Sequence, residues 1–100
     1  MDLFLRKENH PQVIDNYRVI LKDEAGDVEV GSIGIKTFTS MEIGWTWGID
    51  FVIPMRAGRA SGRGIDRRDC MKKFRAAWDE LTADRGWLEE FMAAKRRRRP

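Results

Sequence analysis

Residues 42–54 read EIGWTWGIDFVIP. Ile43, Trp45, Trp47, Ile49, Phe51 and Ile53 share one parity, and Glu42, Gly44, Thr46, Gly48 and Asp50 share the other. Alternate residues of a strand point to opposite sides of the sheet. The stretch therefore predicts a long strand from Glu42 to Ile53 with one aromatic and aliphatic face. Pro54 closes it, because proline has no N–H to give to a ladder.

Working upstream, NYRVILKDEAGDVEV (residues 16–30) predicts a hairpin with Tyr17, Val19 and Leu21 on one face and DEAGD as its turn. In the second strand the apolar parity changes, from Val28 and Val30 to Ile33 and Ile35, with Gly31 at the junction. One inserted residue is the signature of a β-bulge. KTFTSME then leads into the long strand, so the order predicts a three-stranded antiparallel meander. Residues 1–15 remain open: Leu3, Phe4 and Leu5 suit a short strand or an apolar plug, and Pro11 opposes a helix.

Downstream, residues 54–65 hold glycines at 58, 62 and 64 and arginines at 56, 59 and 63, the pattern of a flexible loop. Asp66 has the chemistry of an N-cap, with Asp69 completing a box-like pattern. The helix that follows carries a stripe of Cys70/Met71, Phe74, Ala77/Trp78 and Leu81. Gly86 weakens it, so a kink or a split is expected between Ala83 and Gly86, with Phe74, Trp78, Leu81, Leu88 and Met92 in one phase across the break. The fold class is α+β: one domain, a three-stranded antiparallel sheet with one face covered by a C-terminal helix. At ~3.3 Å per residue, Ile43 to Ile53 spans roughly 36 Å, whereas the first helix at ~1.5 Å per residue covers roughly 24 Å. Part of the apolar stripe must find another cover, or be an interface.

Composition narrows the function classes. With 42% hydrophobic and 35% charged residues the chain is globular, and no apolar run approaches the ~20 residues of a membrane span. The first residues lack the pattern of a signal peptide. A single cysteine excludes an internal disulfide and suits a cytoplasmic location. The net charge of +3 hides alternating blocks: −4 over residues 1–55, +6 over 56–75, −4 over 76–94 and +5 over 95–99.

The WTW, GRA and FRAAW segments together resemble short uncharacterised bacterial proteins with a W-x-W strand, a glycine-arginine loop and a closing helix; that resemblance implies no activity. The strand-strand-strand-helix order also looks like the small DNA-binding domains of phage-type integrases, which read DNA with the exposed sheet face. Here that face would present Glu42, Thr46 and Asp50, and carboxylates repel phosphates.

The candidate anion-binding or nucleic-acid-binding residues are Arg56, Arg59, Arg63, Arg67 and Arg68 of the loop and helix start, and Arg96, Arg97, Arg98 and Arg99 of the basic tail 95–100. GRASGRGID followed by RRD brings backbone amides, a helix N-terminus and arginines toward one point, where an anion is favoured. It lacks the lysine and hydroxyl of a P-loop and any dinucleotide fingerprint; a plain linker is the alternative. The tail suits phosphates, an acidic protein surface or a solubilising end beside the negative helix pole. Cys70 sits on the apolar stripe, far in sequence from His10, the one histidine. No catalytic residue, metal ligand set or cofactor motif emerges. The expectation is a non-enzymatic binding module for DNA or RNA, the alternative a protein-interaction or homodimerising domain using the uncovered end of the stripe or a strand edge.

Overall fold

The structure, a computed structural model, describes residues 1–8, 15–55 and 58–97. Arg56, Arg98 and Arg99 lie outside the described residues. The chain folds as an α+β unit: strands β1 (Leu3–Lys7), β2 (Asn16–Leu21), β3 (Val28–Thr37), β4 (Ile43–Ile49) and β5 (Ser61–Gly64), then helices α1 (Arg67–Thr82) and α2 (Arg85–Arg97). The strands form one antiparallel sheet in the order β1-β2-β3-β4-β5.

The expected meander is present as β2-β3-β4, but the sheet has five strands rather than three. Leu3, Phe4 and Leu5 pair with Leu21, Ile20 and Val19 as an edge strand. On the other edge, Ser61 to Gly64, expected within a flexible loop, pair with Gly48 to Trp45. Of the two alternatives for Leu3 to Leu5 the strand is the one formed, whereas β5, which reads SGRG, has no strand propensity of its own. Each is recruited by the unpaired N–H and C=O groups that the end of a sheet offers.

The parity change in β3 is a bulge. Val19 pairs with Gly31 and Ile20 with Glu29, so Val30 is the extra residue, and Val28, Val30 and Ile33 are all buried. Gly31 is required at this point for space: a Cβ there would run into the Phe74 ring and the Gly48 carbonyl. The bulge also shortens the long strand. The β3–β4 ladder ends at Gly31 and Ile49 rather than at Ile53. Beyond it Phe51 turns outward, 71% exposed, while Val52, Ile53 and Met55 pack at the margin of the core. The six-residue stripe is thus divided: Trp47 and Ile49 are buried, Trp45 is half-buried, and Ile43 is 73% exposed.

Asp66 is the N-cap of α1, its carboxylate accepting from the Asp69 amide at 2.7 Å. Cys70, Phe74, Ala77, Trp78 and Leu81 face the sheet as their spacing predicts. The helix splits at Ala83–Asp84, and Asp84 caps α2 by accepting from the Trp87 amide at 3.0 Å. The apolar phase does not run straight through the break. Met92 is buried in the core as expected and Leu88 packs at its edge, but the fully buried residues of α2 are Trp87 and Phe91, which lie outside the expected stripe. Trp78, Trp87 and Phe91 form an aromatic cluster between the helices, with centroids 5.0–6.1 Å apart.

One ion-pair cluster ties α2 to the sheet. Asp50 accepts from both Arg18 of β2 and Lys95 of α2. Burial alone would push its carboxyl up, but the hydrogen bonds and charges of Arg18 and Lys95 outweigh that and hold it below the usual range. Among the described residues no helix is long and apolar enough to cross a membrane.

Candidate functional site

The β5–α1 corner is locked by local hydrogen bonds. Asp69, in the first turn of α1, accepts from the Ile65 amide at 2.9 Å and pairs with Lys73 Nζ at 3.1 Å. The Ile65 amide first and Lys73 second hold its carboxyl below the ordinary range. Gly64 lies so close to Cys70 that a Cβ there would fall 2.6 Å from the sulfur. Burial pushes the Cys70 thiol up, assisted by the charge of Asp69. A thiol kept protonated in the core is a poor nucleophile.

This corner positions a groove of about 310 Å³ between the edge of β5 and the outer face of α1. Arg59, Gly62 and Arg63 form one wall, Lys73, Ala76, Ala77 and Glu80 the other, and Trp47 contributes from beneath. Lys73 Nζ also donates to the Arg63 carbonyl at 3.1 Å, which joins the walls at one end. At the other end the Glu80 carboxylate lies against Gly58. Gly58 adopts a φ of +70°, the left-handed conformation that favours glycine. The indole edge of Trp47 passes under Gly62, where a Cβ would sit 3.0 Å from Nε1. Trp47 is 6% exposed, and its N–H has no hydrogen-bond partner among the described residues.

Beside the groove, the Arg63 guanidinium lies 3.6 Å from the Phe38 ring centroid, a cation-π contact that fixes the charge at the sheet edge. Arg67 donates to the Tyr17 hydroxyl at 2.7 Å, and with Arg68, Trp45, Asp15 and Asp66 it lines a cleft at the start of α1. The outer sheet face next to Arg63 carries Ser32, Lys36, Thr46 and Ser61. Of the carboxylates expected there, Glu42 and Asp50 fall outside β4, and Asp50 is neutralised by Arg18 and Lys95.

Of the arginines singled out from the sequence, Arg59 and Arg63 line the groove, the Arg63 guanidinium lying over Phe38, while Arg67 and Arg68 line a separate cleft with Tyr17 and Trp45 at the α1 start. Arg96 pairs with Asp23 in the β2–β3 turn at 2.9 Å, at the opposite end of β3 from its hairpin with β4; Arg97 is exposed in the last turn of α2. Lys73, Glu80, Trp47 and Phe38 are the contributors that the sequence reading missed. The i, i+4 spacing of Asp69 and Lys73, with Glu80 two turns further on, could have marked one helix face. Among the described residues no three His, Cys, Asp or Glu side chains group as metal ligands. Compared with known protein families, with curated proteins and with solved structures, the chain matches none.

Proposed function

We propose that this protein is a non-enzymatic module that binds a polyanion, nucleic acid, through phosphate contacts on its β5–α1 side. The observation that carries this reading is that Arg59 and Lys73 line one groove, Arg63 lies on the adjoining sheet face over Phe38, and Arg67 and Arg68 line a cleft at the start of α1. Guanidinium and ammonium groups on one side of a fold attract phosphates at long range and hold them by charge-assisted hydrogen bonds. The buried, protonated Cys70 favours binding over nucleophilic chemistry.

The test is fluorescence anisotropy of labelled duplex and single-stranded oligonucleotides across a salt series. For duplex DNA each neutralised phosphate contributes about −0.9 to the slope of log K against log salt. Arg59→Ala with Arg63→Ala is expected to flatten that slope by about 2, whereas Arg96→Ala, which removes a cation already paired with Asp23, leaves it unchanged. Absence of binding at low salt refutes the reading.

A second reading, an interface with protein, is favoured by one observation. Met41, Ile43 and Ile65 are 81%, 73% and 85% exposed at the same end of the sheet, beside the half-buried Trp45. Isolated exposed apolar residues are ordinary, but a contiguous group marks a contact surface. Ile43→Asp, read by sedimentation against concentration, distinguishes self-association from a monomer.

A further inference from the structure

The groove between β5 and α1 has polarity along its length as well as charge. Lys73 and Arg63 meet at one end, and Glu80 lies at the other against Gly58. Seven helical residues at ~1.5 Å separate Lys73 from Glu80, roughly 10 Å along the axis. Between them the Trp47 indole edge, with its unpartnered N–H, passes beneath Gly62. A volume of about 310 Å³ falls at the lower end of the range for small-molecule sites.

We infer that this groove seats one nucleotide unit, with its phosphate against Lys73, a hydroxyl or amino group donating to Glu80, and an acceptor taking the Trp47 N–H. The inference rests on the anion-binding reading and deepens it. A phosphate alone uses the cationic end and leaves Glu80 repelling it. A nucleotide spans both ends and supplies donors and acceptors within one molecule. Lys73 Nζ has three donors, and the Arg63 carbonyl and Asp69 use two. An indole N–H buried without an acceptor is unfavourable, so a ligand that reaches it gains what the free protein lacks. Gly62 leaves no side chain over Nε1, and β5 is a four-residue edge strand bonded to a strand on one side alone. Because Nε1 is buried beneath Gly62, the ligand reaches it only with an outward shift of β5.

The experiment follows the four tryptophan indole resonances of the full chain by ¹H–¹⁵N NMR, with Trp47 assigned from Trp47→Phe. The probes are adenosine monophosphate, inorganic phosphate, adenosine and a single-stranded oligonucleotide. Adenosine monophosphate is expected to move the Trp47 signal saturably, at least tenfold more tightly than inorganic phosphate or adenosine. Lys73→Met and Glu80→Gln, both at exposed positions, are each expected to weaken it at least tenfold with an unchanged melting temperature. Gly62→Ala sets a methyl against the indole edge and abolishes the shift. No saturable shift, equal affinity for phosphate and nucleotide, or undiminished affinity in both charge variants overturns the assignment. The oligonucleotide separates the sources: competition with the nucleotide at Trp47 assigns the groove to a unit of a strand, and binding without competition overturns the link between groove and strand. Oligonucleotide binding in anisotropy with a silent Trp47 refutes the groove and spares the nucleic-acid reading. A nucleotide response without oligonucleotide binding does the reverse.

Discussion

Replacing Trp78 measures how the two helices are held together. The side chain is fully buried and meets Trp87 and Phe91 edge-to-face, at 6.1 and 5.5 Å between centroids. Truncating a buried aromatic to alanine costs ~3–5 kcal/mol, and each edge-to-face pair adds about 0.5–1.5 kcal/mol to its area burial. One feature of the site works the other way. Trp78 Nε1 is buried with no hydrogen-bond partner among the described residues, and such an orphan donor costs about 1–3 kcal/mol in the folded state. Trp78→Ala removes that penalty together with the packing, so the net loss is about 3 kcal/mol. A domain of this size unfolds with ~5–15 kcal/mol, and a loss of this order lowers Tm by roughly 12–24 °C. Trp78→Phe is the sharper test, since it keeps most of the ring contacts and deletes the orphan donor. Its expected effect is within about 1 kcal/mol of the parent. Urea unfolding followed by far-ultraviolet circular dichroism reads both variants. A Phe variant that loses as much as the Ala variant would refute the reasoning, because the indole N–H would then have been stabilising the fold.

Three further outcomes follow from the fold. Asp50→Asn leaves Arg18 and Lys95 without their shared carboxylate; removing one partner of a buried pair costs ~3–5 kcal/mol, and partial exposure reduces this to about 1–3 kcal/mol, measurable by urea titration. Because the Asp50 pKa is depressed in the folded state, its contribution is fully present above the unfolded value near 4, is lost as pH falls through the lower folded pKa, and is absent from the Asn variant in an acid titration. Gly31→Ala drives a methyl into the Phe74 ring and the Gly48 carbonyl, and a thermal melt should fall by the equivalent of ~1–3 kcal/mol. Asp84→Ala removes the cap of α2 for about 1 kcal/mol, and hydrogen exchange should show its first turn opening selectively.

The candidate site was legible in the sequence only in its cationic half. Arg59, Arg63, Arg67 and Arg68 stand close together in the chain, in a glycine-rich segment leading into a helix. Lys73, Glu80 and Trp47 come from a helix face and a neighbouring strand, and no spacing between them and the arginines announces the groove. Arg96 belongs to the same charge type, and α2 carries it to Asp23 at another end of the sheet.

What the sequence determined by itself is whatever is encoded within one turn or one alternation. The β2–β3 hairpin, the bulge at Val30 and Gly31, the Asp66 cap, the inward face of α1 and the break before Arg85 all depend on neighbours a few residues away. Tertiary structure alone decided the rest. β5 is a strand because an open ladder was there to receive it, with glycine at 62 leaving space for the Trp47 indole, and the same pairing chose between strand and plug for Leu3 to Leu5. β4 ends at Ile49 because its partner bends away at the bulge, and Phe51 then turns to solvent. Local periodicity records which way a side chain points relative to its neighbours, but burial depends on what lies opposite, and for edge strands and grooves that partner is distant in the chain.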